Sequence, residues 1–171
     1  MGRFAPGVRP NALPWLALSA LVVVLDQAAK AWALAALEFQ RPVEVIPGWA
    51  WWTLTHNHGA AFSFLADAGG WQRWFFSALA VVISLVMVGW LTRIRRGDWR
   101  EALAPALVIG GAIGNLIDRV RFGYVIDFID VLYWPGKHWP AFNLADSAIV
   151  LGAILLAFSS VFADPPKPKA D

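Results

Sequence analysis

Four aspartates in the second half of this sequence, Asp118, Asp127, Asp130 and Asp146, are the residues best suited to chemistry. Asp146 lies in "FNLADS", directly ahead of an apolar run, where a carboxylate is costly unless something uses it. Two carboxylates brought together cannot both ionise easily and come to share one proton. The ionised member can then act as a general base on water, while the protonated one donates to a carbonyl under attack. That is hydrolysis by paired acids. Other routes have less support. The chain has no cysteine, which excludes thiol nucleophiles, disulfides and cysteine-ligated metals. His56, His58 and His138 form no H-E-x-x-H, and two histidines around one Asn make a poor metal motif. No serine sits in a recognisable nucleophile setting. The residues by themselves leave the four aspartates equal.

The elements that must position these acids are membrane helices. Of the 171 residues, 58% are hydrophobic and 15% charged, against about 45–50% and about 25% in soluble domains. The 11 Trp suit membrane–water interfaces. Four segments approach the roughly 17–25 apolar residues that a spanning helix needs: about 12–37, 71–91, 102–119 and 141–163. Pro105 is expected in the first turn of the third, where its missing N–H does little harm. Arg3 and Arg9, then Arg93, Arg95, Arg96 and Arg100, then Lys167 and Lys169 share one side of a four-span arrangement. By the positive-inside rule both termini are cytoplasmic. Arg3, Arg9 and the following apolar run imitate a cleavable leader, but Asp26 and Lys30 interrupt the pattern ahead of "ALA" and the apolar character continues past them.

The connections at about 38–70 and 118–140 fall on the outer side. In the first, "PVEVIPGWAWWTLT" is expected to form one or two short strands. "GAAFSFLADAGG" is expected to form a short amphipathic helix closed by glycines. The tail "DPPKPKAD" is polar and Pro-rich, and reads as disordered. The expected architecture is an all-α integral membrane protein of four transmembrane helices with a small outer β-element. Residues 1–164 form its single domain and 165–171 its cytoplasmic tail.

Polar residues inside the spans invite a functional reading. Asp26 and Lys30 are four apart and share a helix face. They either pair to fix packing or support a site. Gly110, Gly111 and Gly114 form a small-residue surface where another helix can approach closely. Asn115, Asp118 and Arg119 cluster on the turns that follow.

In order along the chain, "DQAAK", "NHGAAFS", "GGAIGNLIDR" with "VIDFID", and "FNLADS" resemble the lipoprotein signal peptidases, also called signal peptidase II. The likeness covers about residues 13–162. It implies a monomeric aspartic endopeptidase of the bacterial inner membrane, without cofactor, metal or nucleic-acid partner. Such enzymes act among membrane lipids and cut diacylglyceryl-modified prolipoproteins just before the lipidated cysteine. The resemblance selects Asp127 and Asp146 as the catalytic pair. It assigns Asn57, Gly59, Asn115, Arg119 and Asn143 to the lining of the site, Asp26 and Lys30 to a supporting pair, and Asp118 and Asp130 to supporting roles. The competing class is a small transporter or channel subunit, for which Asp26 and Lys30 would mark an ion path. A membrane scaffold without chemistry leaves the aspartates and asparagines unexplained.

Overall fold

The computed structural model of the chain describes residues 10–59 and 70–161. The expected amphipathic helix, Arg3, Arg9 and the tail fall largely or wholly outside these residues. A 3-10 turn at Leu13–Trp15 leads into α1, Leu16–Ala36. Strands β1, Val43–Ile46, and β2, Ala50–Asn57, precede α2, Trp71–Leu91. Then come α3, Trp99–Phe122, strands β3, Val125–Trp134, and β4, Lys137–His138, and finally α4, Leu144–Val161.

Helices α1, α2 and α3 are long and apolar enough to cross a membrane, and α4 is a shorter apolar helix. Helix α3 is the centre of the bundle. It packs against each of the other three and buries most of its surface, whereas α1 and α2 leave most of theirs exposed. The exposed residues are large and apolar, among them Val24, Leu25, Val82, Leu85, Val86 and Phe158. Such a surface has no place in water and is the face a bilayer covers.

The glycines of α3 allow the close packing. A Cβ on Gly110 would fall 2.7 Å from Val22 Cβ of α1, and one on Gly114 would fall 2.7 Å from Asp26 Oδ2. A Cβ on Gly111 would run into the Ala145 carbonyl at the head of α4. Gly152 of α4 returns the favour, since a Cβ there would lie 2.6 Å from Val108 Cγ2. Side chains are thus removed where backbones meet.

Helix α3 starts earlier than hydropathy suggests, because its first turn, "WRE", carries an arginine and a glutamate. Pro105 therefore lies inside the helix, not in its first turn. Helix α4 starts later than expected, at Leu144, because Asn143 caps it.

The sheet is antiparallel, in the order β1-β2-β3-β4. The pair β1–β2 matches the expected strands. Strands β3 and β4 lie in the second outer connection, beyond the strands expected in the first. Strand β3 is clamped on both sides. Asn57 pairs with Val125 and Thr55 with Asp127 on the β2 side. On the other, Ile129 and Phe142 exchange N–H···O bonds of 2.9 and 3.0 Å. Phe142 immediately precedes the cap of α4, so β3 fixes where that helix begins. Ala33 of α1 and Leu54, Ile126 and Phe128 of the sheet form one buried cluster, with Trp32 edge-on to Trp52 at 5.6 Å.

Gly111→Ala should destabilise the protein by about 1–3 kcal/mol, the usual range for overpacking. The check is the thermal midpoint in detergent, which should fall. An unchanged midpoint would mean that α3 and α4 are not held this closely.

Candidate active site

Asn143 and Asp146 form a reciprocal cap at the start of α4. The Asp146 N–H donates to Asn143 Oδ1 at 2.8 Å, and the Asn143 N–H donates to Asp146 Oδ2 at 3.2 Å. This is the capping-box arrangement with an acid at the third helical position. It answers why a carboxylate opens an apolar helix: there it satisfies a free backbone N–H and faces the positive end of the helix dipole. Its other oxygen, Oδ1, accepts from Asn115 Nδ2 of α3 at 2.7 Å.

Asp127 comes from β3. Its Oδ2 accepts from Asn57 Nδ2 of β2 at 3.0 Å, and its Oδ1 from Asn143 Nδ2 at 2.7 Å. A single side chain, Asn143, thus binds Asp127 while its backbone binds Asp146. Asn143 is fully buried. The side-chain oxygen of Asn57, Oδ1, accepts from the Gly59 N–H at 2.9 Å, which steadies the amide that faces Asp127. Gly59 has φ +114°, and a Cβ there would meet the Phe76 ring at 2.8 Å, so the position requires glycine.

Beneath the pair lies a buried cation. Lys30 Nζ is 2.8 Å from Asp26 Oδ2 and 2.8 Å from Asp118 Oδ2, and it donates to Asn115 Oδ1 at 3.0 Å. Asp26 Oδ1 accepts from the Ala145 N–H at 2.9 Å, and Asp118 Oδ2 from the Ile126 N–H at 3.1 Å. Ala145 is the neighbour of Asp146 and Ile126 the neighbour of Asp127. Each buried acid therefore pins the backbone next to one member of the pair. Asn115 joins the two layers, accepting from Lys30 and donating to Asp146.

Arg119 lies within electrostatic reach of Asp146, Asp127 and Asp118, with its guanidinium over the Phe76 ring at 5.3 Å. Burial pushes the Asp127 carboxyl up to about 7, with the negative charge of Asp146 adding to the effect. The two asparagine hydrogen bonds and Lys30 oppose that rise without cancelling it. Two carboxyl groups so arranged can hold one proton between them near neutral pH.

The structure thus brings together Asp127, Asp146, Asn57, Gly59, Asn115, Asn143, Arg119, Asp118, Asp26 and Lys30. It keeps Asp130 apart. Residues three apart on a strand point to opposite faces, so Asp127 and Asp130 diverge. Asp130 Oδ2 accepts from Thr53 Oγ1 at 3.0 Å, and Oδ1 pairs with His138 Nδ1 at 2.6 Å. His56 and His58 pack against the Tyr124 ring, at 4.0 and 5.4 Å between centroids. Sequence reasoning missed Gln27, whose amide donates to Asp118 Oδ1 at 2.9 Å and to the Gly114 carbonyl at 3.2 Å. A second polar side chain beside Asp26 in an apolar span was the available signal.

Comparison with known proteins gives one answer. The family model described as "Signal peptidase (SPase) II" matches residues 18–162. The lipoprotein signal peptidase of Xanthomonas campestris pv. campestris (strain 8004) is 59% identical over 154 residues, covering 90% of this chain and 91% of that protein. The lipoprotein signal peptidase of Xylella fastidiosa (strain 9a5c) is 55% identical over 161 residues, covering 94% and 95%. Among solved structures, a bacterial membrane enzyme determined by the in meso method at 2.3 Å superimposes with a TM-score of 0.79 at 28% identity, covering 95% of this chain and 98% of that one. With the matched region running from α1 through α4, the chain belongs to the signal peptidase II family.

Proposed function

We propose that this protein is an aspartic endopeptidase of the bacterial inner membrane that removes the signal peptide from diacylglyceryl-modified prolipoproteins, cutting before the lipidated cysteine. The observation that carries the aspartic mechanism is Asn143, which binds Asp127 through its amide and Asp146 through its backbone. Family membership and the relatives' names support the substrate class.

In this reading Asp127 holds the proton at rest and Asp146 is ionised. Asp146 takes a proton from a water molecule as the hydroxyl oxygen adds to the scissile carbonyl carbon. Asp127 gives its proton to the carbonyl oxygen, yielding a neutral gem-diol. Collapse returns a proton from one diol hydroxyl to Asp127, and the Asp146 proton passes to the leaving nitrogen. The carbon–nitrogen bond breaks, releasing the signal peptide with a new carboxyl group and the lipidated cysteine with a free amine. Asn57, Asn115 and Asn143 hold the two acids in place, and Arg119 offers a cation to substrate carbonyls near Gly59. Lys30, Asp26 and Asp118 act from below, through backbone N–H groups. Asp130 supports β3 through Thr53 and His138. The transporter reading needs a free charge at mid-bundle, yet Lys30 is committed to Asp26, Asp118 and Asn115.

Residues 1–164 form one domain in this account, with α4 as its fourth span, 165–171 as a cytoplasmic tail, and a monomer as the working unit. The sheet stands on the outer side. Reporter fusions after Gly97 and at the C-terminus should then read cytoplasmic, and one after Ala66 should read outside. A cytoplasmic signal after Ala66 would overturn the four-span arrangement.

Asp127→Asn and Asp146→Asn should each lower kcat by at least about 10²–10⁴-fold, the usual worth of general acid–base help. The double variant should be little worse than either, because the two act as one unit. Asp130→Asn should be milder. The wild-type pH profile follows from the raised Asp127 carboxyl: it is protonated below about 7 and ionised above. kcat/KM should therefore fall as pH rises through about 7, since two ionised acids leave no donor for the carbonyl oxygen. Near-normal cleavage by Asp127→Asn, or activity still climbing toward alkaline pH, would contradict the assignment.

A further inference from the structure

Four arginines, Arg93, Arg95, Arg96 and Arg100, crowd the turn between α2 and α3, at the far end of α3 from Asn115, Asp118 and Arg119. Among the described residues none of the four has a carboxylate within ion-pairing distance, although Asp98 and Glu101 share the segment. Pro10, Arg95, Arg96 and Gly97 line a cavity of about 360 Å³ there. We propose that this cavity binds the anionic headgroup of a phospholipid in the cytoplasmic leaflet, an inference that rests on the side assigned to this connection above.

Three observations select that occupant. The first is depth. Helix α2 has 21 residues, roughly 32 Å at the usual rise, against a hydrocarbon core of about 30 Å. The residues that follow Leu91 therefore fall in the headgroup layer. Trp90 and Trp99 flank the arginines, and both are exposed, as aromatic residues at that boundary are. The second is a loop held in place. The Arg96 N–H donates to the Pro10 carbonyl at 3.0 Å, and the Ala12 N–H to the carbonyls of Leu91 and Ile94 at 3.2 and 3.1 Å. Ala12 and Ile94 are buried beneath this crossing. The backbone that carries Arg95 and Arg96 is thus tied to the segment ahead of α1, and little ordering is left for a ligand to bring about. The third is chemistry. A planar guanidinium grips a phosphate through two parallel hydrogen bonds, which an ammonium does not match. Four arginines against Asp98 and Glu101 leave two positive charges in excess, and anionic lipids of that leaflet are drawn to such a surface. The substrate is a poor occupant, because a signal peptide carries its own basic residues ahead of its apolar run. An acidic protein segment would first have to displace the lipid already present at this depth.

The test titrates purified full-length protein in neutral detergent with short-chain phosphatidylglycerol, short-chain phosphatidylcholine, inorganic phosphate or an oligoglutamate peptide, and follows tryptophan fluorescence. Phosphatidylglycerol should bind, and phosphatidylcholine and free phosphate should not at matched concentrations. Arg95→Gln with Arg96→Gln should weaken phosphatidylglycerol binding about tenfold, roughly the worth of one charge-assisted hydrogen bond. Arg95→Lys with Arg96→Lys keeps the charge without the planar fork and should weaken it less. Arg41→Gln, at an exposed arginine already paired with Glu38, should leave binding as it is. Equal binding of the two lipids, or a phosphatidylglycerol affinity indifferent to Arg95 and Arg96, would overturn the proposal. So would free phosphate or oligoglutamate binding as well as phosphatidylglycerol, which would give the site to a soluble anion or to a protein. A reporter after Gly97 that read outside would overturn it through the topology, whereas a failed titration would leave the topology and the peptidase reading standing.

Discussion

A lysine with two carboxylates in an apolar bundle is the constraint from which the rest of this site follows. Lys30 is almost wholly buried, and a lone ammonium there would be prohibitive. Asp26 and Asp118, each at 2.8 Å, supply the charge it needs. Two acids on one cation leave oxygens to satisfy, and these accept the N–H groups of Ala145 and Ile126. Removing one partner of such a cluster costs about 3–5 kcal/mol, because the others are left uncompensated. The start of α4 and the start of β3 are therefore tied to the same charge. The ion pair that joins α1 to α3 is thus also the one that holds the backbone beside Asp146 and Asp127.

The upper layer is built from asparagines. An amide both donates and accepts, so Asn115 can take a hydrogen from Lys30 and give one to Asp146. Asn143 accepts from the Asp146 N–H and donates to Asp127. Amides hold carboxylates without adding charge, which leaves an acid free to keep a proton. A ring of lysines or arginines would bind the acids more strongly but hold both ionised. Gly111 and Gly114 complete the geometry, since any side chain there would push α4 or Asp26 away from α3.

Much of this was legible in the sequence. The limits of α2 came directly from hydropathy, and the glycines of α3 pointed to close helix contact. The polar residues of the spans, Asp26, Lys30, Asn115, Asp118 and Arg119, stood out in the sequence, and they lie in one cluster with Asp127 and Asp146. Other features were hidden. "VIDFIDVLYW" is rich in β-branched and aromatic residues, but its two acids give it equally the character of a solvated connection. As a strand it separates Asp127 from Asp130 by pleat alone. The first turn of α3 carries charge, so the apolar run begins after the helix does. That Asp118 and Asp26 act through backbone N–H groups has no sequence signature, since any residue can supply an amide.

The central claim is that this site hydrolyses one bond, next to a lipidated cysteine. The most direct test is mass spectrometry of the products after purified protein is incubated with a diacylglyceryl-modified prolipoprotein and, separately, with the same chain unmodified. The account predicts that the modified substrate alone is converted, to a free signal peptide and a product beginning at the lipidated cysteine. Recovery of the modified chain intact, cleavage at another bond, or equal cleavage of both chains would contradict it.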